Sequence, residues 1–186
     1  MADLVARFAG STLVSRGEPF STLMRSIVGQ QISVKAADAI WRRLIVVVPK
    51  IGAAEVLACP PQTLRECGLS ARKVEYLVDL AGHFSTGQIR AERWPAMSDA
   101  EVLAELTAVR GIGVWTAEMF LIFNLLRPDV FPLDDIGLQR AVGDFYHEGE
   151  RLTGRALLAF GERWRPWRSV ATWYLWRSLD PVPVEY

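Results

Sequence analysis

The chain has 186 residues, 51% apolar and 23% charged, the balance of one soluble domain or of two small helical lobes. No apolar run approaches the roughly 18 residues of a membrane-spanning helix. Twenty-one basic residues balance 21 acidic ones, so the net charge of zero announces no nucleic-acid partner, and any basic DNA-facing surface has to be local.

The N-terminus, "MADLVARFAGSTLV", carries Asp3 early and lacks a basic-then-apolar pattern, which argues against export. Phe20, Leu23, Met24, Ile27 and Val28 form one helical stripe; Ile32, Ala36, Ala37, Ile40, Trp41 and Leu44 form a second. "GQQ" at Gly29 to Gln31 breaks the chain between them. The β-branched run from Leu44 to Pro49 continues the helical pattern better than it alternates. Cys59 and Cys67, with His83 and His147, are too few and too scattered for a zinc or iron–sulfur site, and a reduced cytoplasmic location follows.

Pro61 suits a helix start and Gly68 its C-terminal cap. A helix is predicted from Ala71 to about Gly82. Ser98 and Glu101 have the spacing of a capping box ahead of Val102, Leu103 and Leu106. Trp115 to about Leu126 is a strongly apolar helix. Asp134 or Asp135 can cap the next one, from Ile136 to about His147, with Asp134 capping and Asp135 turned to a cleft as one arrangement. Two helices follow, one ending near Trp164 and one from Trp167 to Leu179. The expectation is an all-α chain of nine or ten short helices with no internal repeat.

Two glycines interrupt this pattern in "VRGIGVWTAEMFLIF", Val109 to Phe123. Glycine inside a helix costs about 1 kcal/mol, so the turn needs a special backbone or a close approach. A dinucleotide fingerprint fails, because Thr116 stands where its third glycine belongs and a helix precedes. A phosphate loop would need Gly-Lys-Ser/Thr. A plain helix–helix turn and a hairpin whose backbone N–H groups grip a phosphate both remain.

Three ordered blocks carry a resemblance. "LTAVRGIGVWTAEMF" followed by "VFPLDDIGL", with "FSTLMRSIVGQQISVKAA" before and "RWRPWRSVATWYLW" after, resembles the helix-hairpin-helix DNA glycosylase superfamily, most closely the AlkA-type 3-methyladenine DNA glycosylases. The resemblance implies a compact two-lobed helical fold with a cleft, a hairpin at about 99–126 and a catalytic loop at 131–137. The chain begins almost at the first block, which implies a form without the N-terminal β-rich domain of larger members, or a truncated one. Many hairpins of the superfamily have proline where Arg110 stands.

By the same resemblance Asp135, the second acid of "FPLDD" and 20 residues after Trp115, is the catalytic carboxylate. Breaking an N-glycosidic bond develops oxocarbenium character on the sugar, which a carboxylate stabilises while it orients or deprotonates water. Endonuclease III and oxoguanine glycosylase place a nucleophilic lysine where this chain has Trp115, and none of Lys35, Lys50 and Lys73 lies in the hairpin. The implied reaction is hydrolysis without strand cleavage. Trp115 and Trp176 would line the base pocket, with Met119 and Trp173 beside them; purines alkylated on N3 or N7 are cationic, and an indole face attracts a cation by ~0.5–2 kcal/mol. Trp41, Trp94 and Trp167 are expected in the core.

Flipping a base costs a few kcal/mol. By the resemblance "GQQIS" falls where AlkA-type sequences place a wedge, which gives Gln31 that role two residues after Gly29; an interhelical turn with solvent-facing amides is the plain alternative. Arg110, Gly111, Ile112, Gly113 and Thr116 make up the expected DNA grip, with Arg163, Arg165 and Arg168 as further phosphate contacts. No cofactor is required; a structural Na+ or K+ on the carbonyls of Thr107, Val109 and Ile112 is implied as in family members. The expected partner is double-stranded DNA with damaged bases, the expected state a monomer in the cytoplasm at a bacterial-type nucleoid. Excision of alkylated purines in base-excision repair is the leading function. Excision of deaminated or oxidised bases, or non-catalytic DNA binding, are its rivals.

Overall fold

The computed structural model describes residues 1–179, and these contain helices and turns with no strand. The helices are α1 (Ala2–Arg7), α2 (Pro19–Gly29), α3 (Val34–Val47), α4 (Ala53–Ala58), α5 (Pro61–Glu66), α6 (Ala71–Ser85), α7 (Asp99–Thr107), α8 (Val114–Phe123), α9 (Ile136–Tyr146), α10 (Gly154–Gly161) and α11 (Arg168–Leu179). Two 3-10 segments, Ala91–Ala96 and Glu162–Trp164, join them. The count exceeds the expected nine or ten because α1 and α4 are single short turns with little periodicity to read. The expected all-α class holds.

The described residues form two units, Arg16–Ala117 and Met1–Ser15 with 118–179, and the boundary falls inside α8. In the first unit, α2 starts on Glu18, whose carboxylate accepts from the Phe20 and Ser21 N–H groups, with Pro19 in the first turn. All five residues of its predicted stripe are buried. The second stripe is only partly so. Ile32 lies before α3 and is exposed, because Ser33 caps that helix and starts it at Val34. Trp94 is fully buried as expected, its Nε1 donating to Glu105 at 2.9 Å. Trp41 is only half-buried, under the Arg25 guanidinium. Gly68 follows α5 with φ +101°, and Ser98 and Glu101 form both arms of the capping box.

In the second unit Leu4, Phe131, Leu138, Ala141, Val142, Leu157 and Leu175 form the core where α1, α9, α10 and α11 converge. α8 ends at Phe123 instead of near Leu126, where the backbone turns left-handed at φ +54°. The loop from there to α9 is pinned on the start of α11. Arg168 Nε and Nη2 donate to the two Asp129 carboxylate oxygens at 2.7 and 2.9 Å, and Nη2 also reaches the Asp129 carbonyl at 3.0 Å. Ser169 N–H donates to the Pro128 carbonyl, and Val130 N–H donates to Ser169 Oγ.

This pairing corrects two expectations. Arg168 is buried and Arg165 also bonds Asp129, at 3.0 Å, so both serve the fold before any phosphate. Arg163 lies on the Phe160 ring. Trp167, expected in the core, is 60% exposed because it precedes α11 instead of lying on its buried face.

The Arg168 guanidinium holds the Asp129 carboxyl below the usual aspartate range. The stabilisation is therefore fully present above the ordinary aspartate pKa and is lost as pH falls through the lowered value. Replacing Arg168 by Ala should destabilise the chain by about 2–4 kcal/mol in urea unfolding at pH 7. The difference from the unsubstituted chain should shrink in acid, where Asp129 is protonated.

Candidate active site and hairpin

Asp135 sits where the pinned loop becomes α9, and it is 8% exposed. Its Oδ1 accepts the Leu138 N–H at 2.6 Å, so Asp135 itself caps α9. This corrects the arrangement in which Asp134 caps and Asp135 is left to other duties. The same Oδ1 accepts Trp176 Nε1 at 2.7 Å, from the third turn of α11. Two neutral N–H donors thus orient one oxygen of the carboxylate.

Gly137 makes that approach possible. A Cβ there would lie 3.1 Å from Asp135 Oδ1 and 3.2 Å from Trp176 Nε1. Trp176 also stacks on Phe123, ring centroids 5.6 Å apart and planes at 19°, which fixes the plane of the indole. Met119 is buried on α8. Trp173 is half-buried, with Arg177 at 5.5 Å from its ring and Tyr174 on its edge. Trp173, expected as a neighbour of the pocket indoles, thus carries a cation of the chain itself.

Glu118 went unnoticed in the sequence, although it is the one charged residue of α8. Burial, reinforced by the neighbouring Asp134 and Asp135 carboxylates, pushes its carboxyl up to about 7. Phe123 and Gly137 were missed as well, since neither carries chemistry of its own.

The two glycines of the hairpin turn have different reasons. Ile112 N–H donates to the Val109 carbonyl at 3.1 Å and Gly111 has φ +87°, the signature of a type II turn with glycine at its third position. A Cβ on Gly111 would collide with the Tyr76 ring. Arg110 occupies the position where such turns favour proline, and its N–H is satisfied by Asp79 Oδ2 at 2.8 Å. Gly113 meets nothing within 4 Å and is exposed. Its carbonyl accepts the Ala117 N–H at the start of α8. The Ile112 side chain is buried and anchors the turn. Thr116, expected on the DNA surface, is buried. Trp115 is 38% exposed in the first turn of α8.

Gly29 ends α2, and Gln31 follows with its side chain exposed and φ +58°. The Gln30 amide donates to the Gly111 carbonyl at 2.8 Å, so this turn and the hairpin turn are joined. Lys73 Nζ donates to the carbonyls of Val28 at 2.7 Å and Gln30 at 2.8 Å. Its partial burial lowers the lysine pKa. No cluster of His, Cys, Asp and Glu able to hold a metal ion occurs among the described residues. No helix among them is long and apolar enough to cross a membrane.

Two measurements follow from this geometry. Gly111→Ala should cost more than about 2 kcal/mol in urea unfolding, from the left-handed backbone and the Tyr76 clash, whereas Gly113→Ala should stay within about 1 kcal/mol. For Glu118, the folded chain keeps a proton that the unfolded chain has lost between the ordinary value of 4.5 and about 7. Stability therefore falls as pH rises through that window. Glu118→Gln removes this slope, and unfolding at pH 5 and pH 8.5 should show the variant gaining on the unsubstituted chain at the higher pH by on the order of 1 kcal/mol or more.

Comparison with known proteins shows the family. The family model described as "HhH-GPD superfamily base excision DNA repair protein" matches residues 24–166. The Bacillus subtilis protein YfjP is 31% identical across 97% of this chain, and the match spans 66% of that relative's length. Among solved structures, the DNA-3-methyladenine glycosidase of Bacillus halodurans is similar with a TM-score of 0.86 and 36% identity, covering 95% of this chain and 87% of that one. The Schizosaccharomyces pombe 3-methyladenine DNA glycosylase Mag1, solved in complex with abasic DNA, is similar with a TM-score of 0.80 and 31% identity, covering 100% of this chain and 91% of that one. The chain belongs to the HhH-GPD superfamily of base excision DNA repair proteins.

Proposed function

We propose that this chain is a monofunctional DNA glycosylase that hydrolyses the N-glycosidic bond of alkylated purines in double-stranded DNA, acting as a cytoplasmic monomer. The observation that carries the proposal is the buried Asp135 carboxylate, oriented by Trp176 Nε1 and the Leu138 N–H. As the C1′–N bond breaks, its electron pair leaves with the base and neutralises an alkylated purine's positive charge. The carboxylate stabilises the oxocarbenium-like sugar, water adds to C1′, and the water's proton passes to Asp135. A cationic base is already an activated leaving group, so the reaction needs little help from a general acid.

The side chains support that substrate class. Trp115 offers an exposed indole and Trp176 an indole of fixed plane, and both faces favour a cation. Met119 supplies a polarisable neighbour, and Trp173 is assigned a supporting place through Arg177. With tryptophan at 115 there is no amine for a Schiff base, so the product is an abasic site in an uncut strand.

DNA is held, in this reading, by the backbone N–H groups of Gly111 and Gly113 on a phosphate, with the Ile112 N–H closing the turn between them and exposed Arg110 beside it, while Gln31 fills the gap that the flipped base leaves. The carbonyls of Thr107, Val109 and Ile112 are neutral oxygens, a donor set that fits Na+ or K+ better than a divalent ion. A cation there would stiffen the turn and takes no part in bond cleavage.

The test is incubation with methylated duplex DNA, measuring free base and abasic sites. Asp135→Asn should lower base release by about 100-fold or more with duplex binding retained. Release that survives the substitution removes Asp135 from the mechanism, and strand cleavage without added alkali removes the monofunctional assignment.

A further inference from the structure

We propose that Lys73 and Gln30 form a clamp that holds the Gln31 turn to the hairpin, making the wedge and the phosphate grip one rigid part and Lys73 a positioning residue for base flipping. The inference rests on the wedge reading of Gln31 given above. Gln31 is a non-glycine residue at φ +58°, a conformation that persists only where its surroundings impose it. Three hydrogen bonds do so. Val28 and Gln30, on either side of Gly29, give their carbonyls to Lys73 Nζ. Carbonyls in the last turn of a helix have no partner within it, and one long cationic side chain here satisfies two carbonyls at the end of α2. The Gln30 amide then fastens the turn to Gly111, the residue on which the hairpin's type II turn depends.

The position of Lys73 strengthens the argument. Ser70 caps α6 through the Lys73 N–H, so Lys73 stands in the first turn of that helix. A cation is unfavourable there, against the positive end of the helix dipole, and partial burial adds to the penalty. A residue that defies its own helix has its reason elsewhere, and the carbonyls at Val28 and Gln30 supply it. The side chain of Gln31 meanwhile stays exposed while its backbone is fixed, as a wedge requires.

The experiment uses a duplex with a tetrahydrofuran abasic analogue and 2-aminopurine as the base opposite it, whose fluorescence rises on unstacking. Affinity for undamaged duplex is measured in parallel by anisotropy, and folding by thermal unfolding. Lys73→Met and Gln30→Leu should each lower the opening equilibrium by about tenfold while undamaged-duplex affinity changes by less than about threefold. Lys73→Arg, which keeps cationic donors, should restore most of the opening. Should Lys73→Met fail to fold, Gln30→Leu and Lys73→Arg carry the test. Opening that is unchanged in both Lys73→Met and Gln30→Leu overturns the clamp, provided Gln31→Ala abolishes opening. Unchanged opening in Gln31→Ala instead overturns the wedge reading itself. Equal loss of opening and of undamaged-duplex affinity assigns Lys73 to the hairpin's general stability and also overturns the proposal.

Discussion

The hydrogen bond from Trp176 Nε1 to Asp135 Oδ1 is the constraint around which the second unit is arranged. It requires α11 to present an indole edge at the first turn of α9, with little tolerance in distance. α11 meets that demand from its other end. Arg168 and Ser169 in its first turn hold the Asp129–Val130 segment, which leads directly to Asp135. The helix therefore fixes both the approach of the loop and the orientation of the carboxylate at the loop's end. Gly137 and Phe123 complete the fit, one by lacking a side chain and the other by supplying a flat surface. A carboxylate positioned this way has lost most of its rotational freedom before any substrate arrives, which is the form that electrostatic preorganisation takes.

Much of this architecture was legible in the residue order, and the parts that were not share a cause. Periodicity located α2, α6, α7 and α9 because each has a polar face and a cap that local chemistry dictates, as in Ser98 with Glu101. Trp167 misled because a tryptophan's preference for burial depends on whether the helix has begun, and α11 begins one residue later. Arg168 looked like a free cation because its partner, Asp129, lies 39 residues away. Asp135 stood out from Asp134 only through the family resemblance, and nothing local showed that its cap and its indole bond share one oxygen. Glu118, Gln30 and Lys73 were invisible for the same reason as Arg168. Each acquires meaning only from residues brought near by the fold.

The hairpin shows how a departure from a family pattern can be absorbed. Proline at the second position of a type II turn needs no hydrogen-bond partner, whereas arginine brings an N–H that must be satisfied. Asp79 on α6 accepts it. The exchange ties the hairpin turn to α6, the helix that also carries Tyr76 beneath Gly111 and Lys73 beneath the Gln31 turn. One helix thus supports both turns assigned to DNA, and the arginine adds an exposed cation where proline would have offered none.

Charge explains why Glu118 belongs in any account of the site. Burial and the neighbouring Asp134 and Asp135 carboxylates raise the cost of ionising Glu118. If all three were ionised, the local field would favour a cationic base but would oppose approach of the polyanionic strand. The Glu118 carboxyl titrates near neutrality, so the field weakens as Glu118 takes up its proton and strengthens as it loses it, with Asp135 held in place by its two N–H donors throughout. The burial of Glu118 follows from the same apolar helix that supplies Met119 and Phe123.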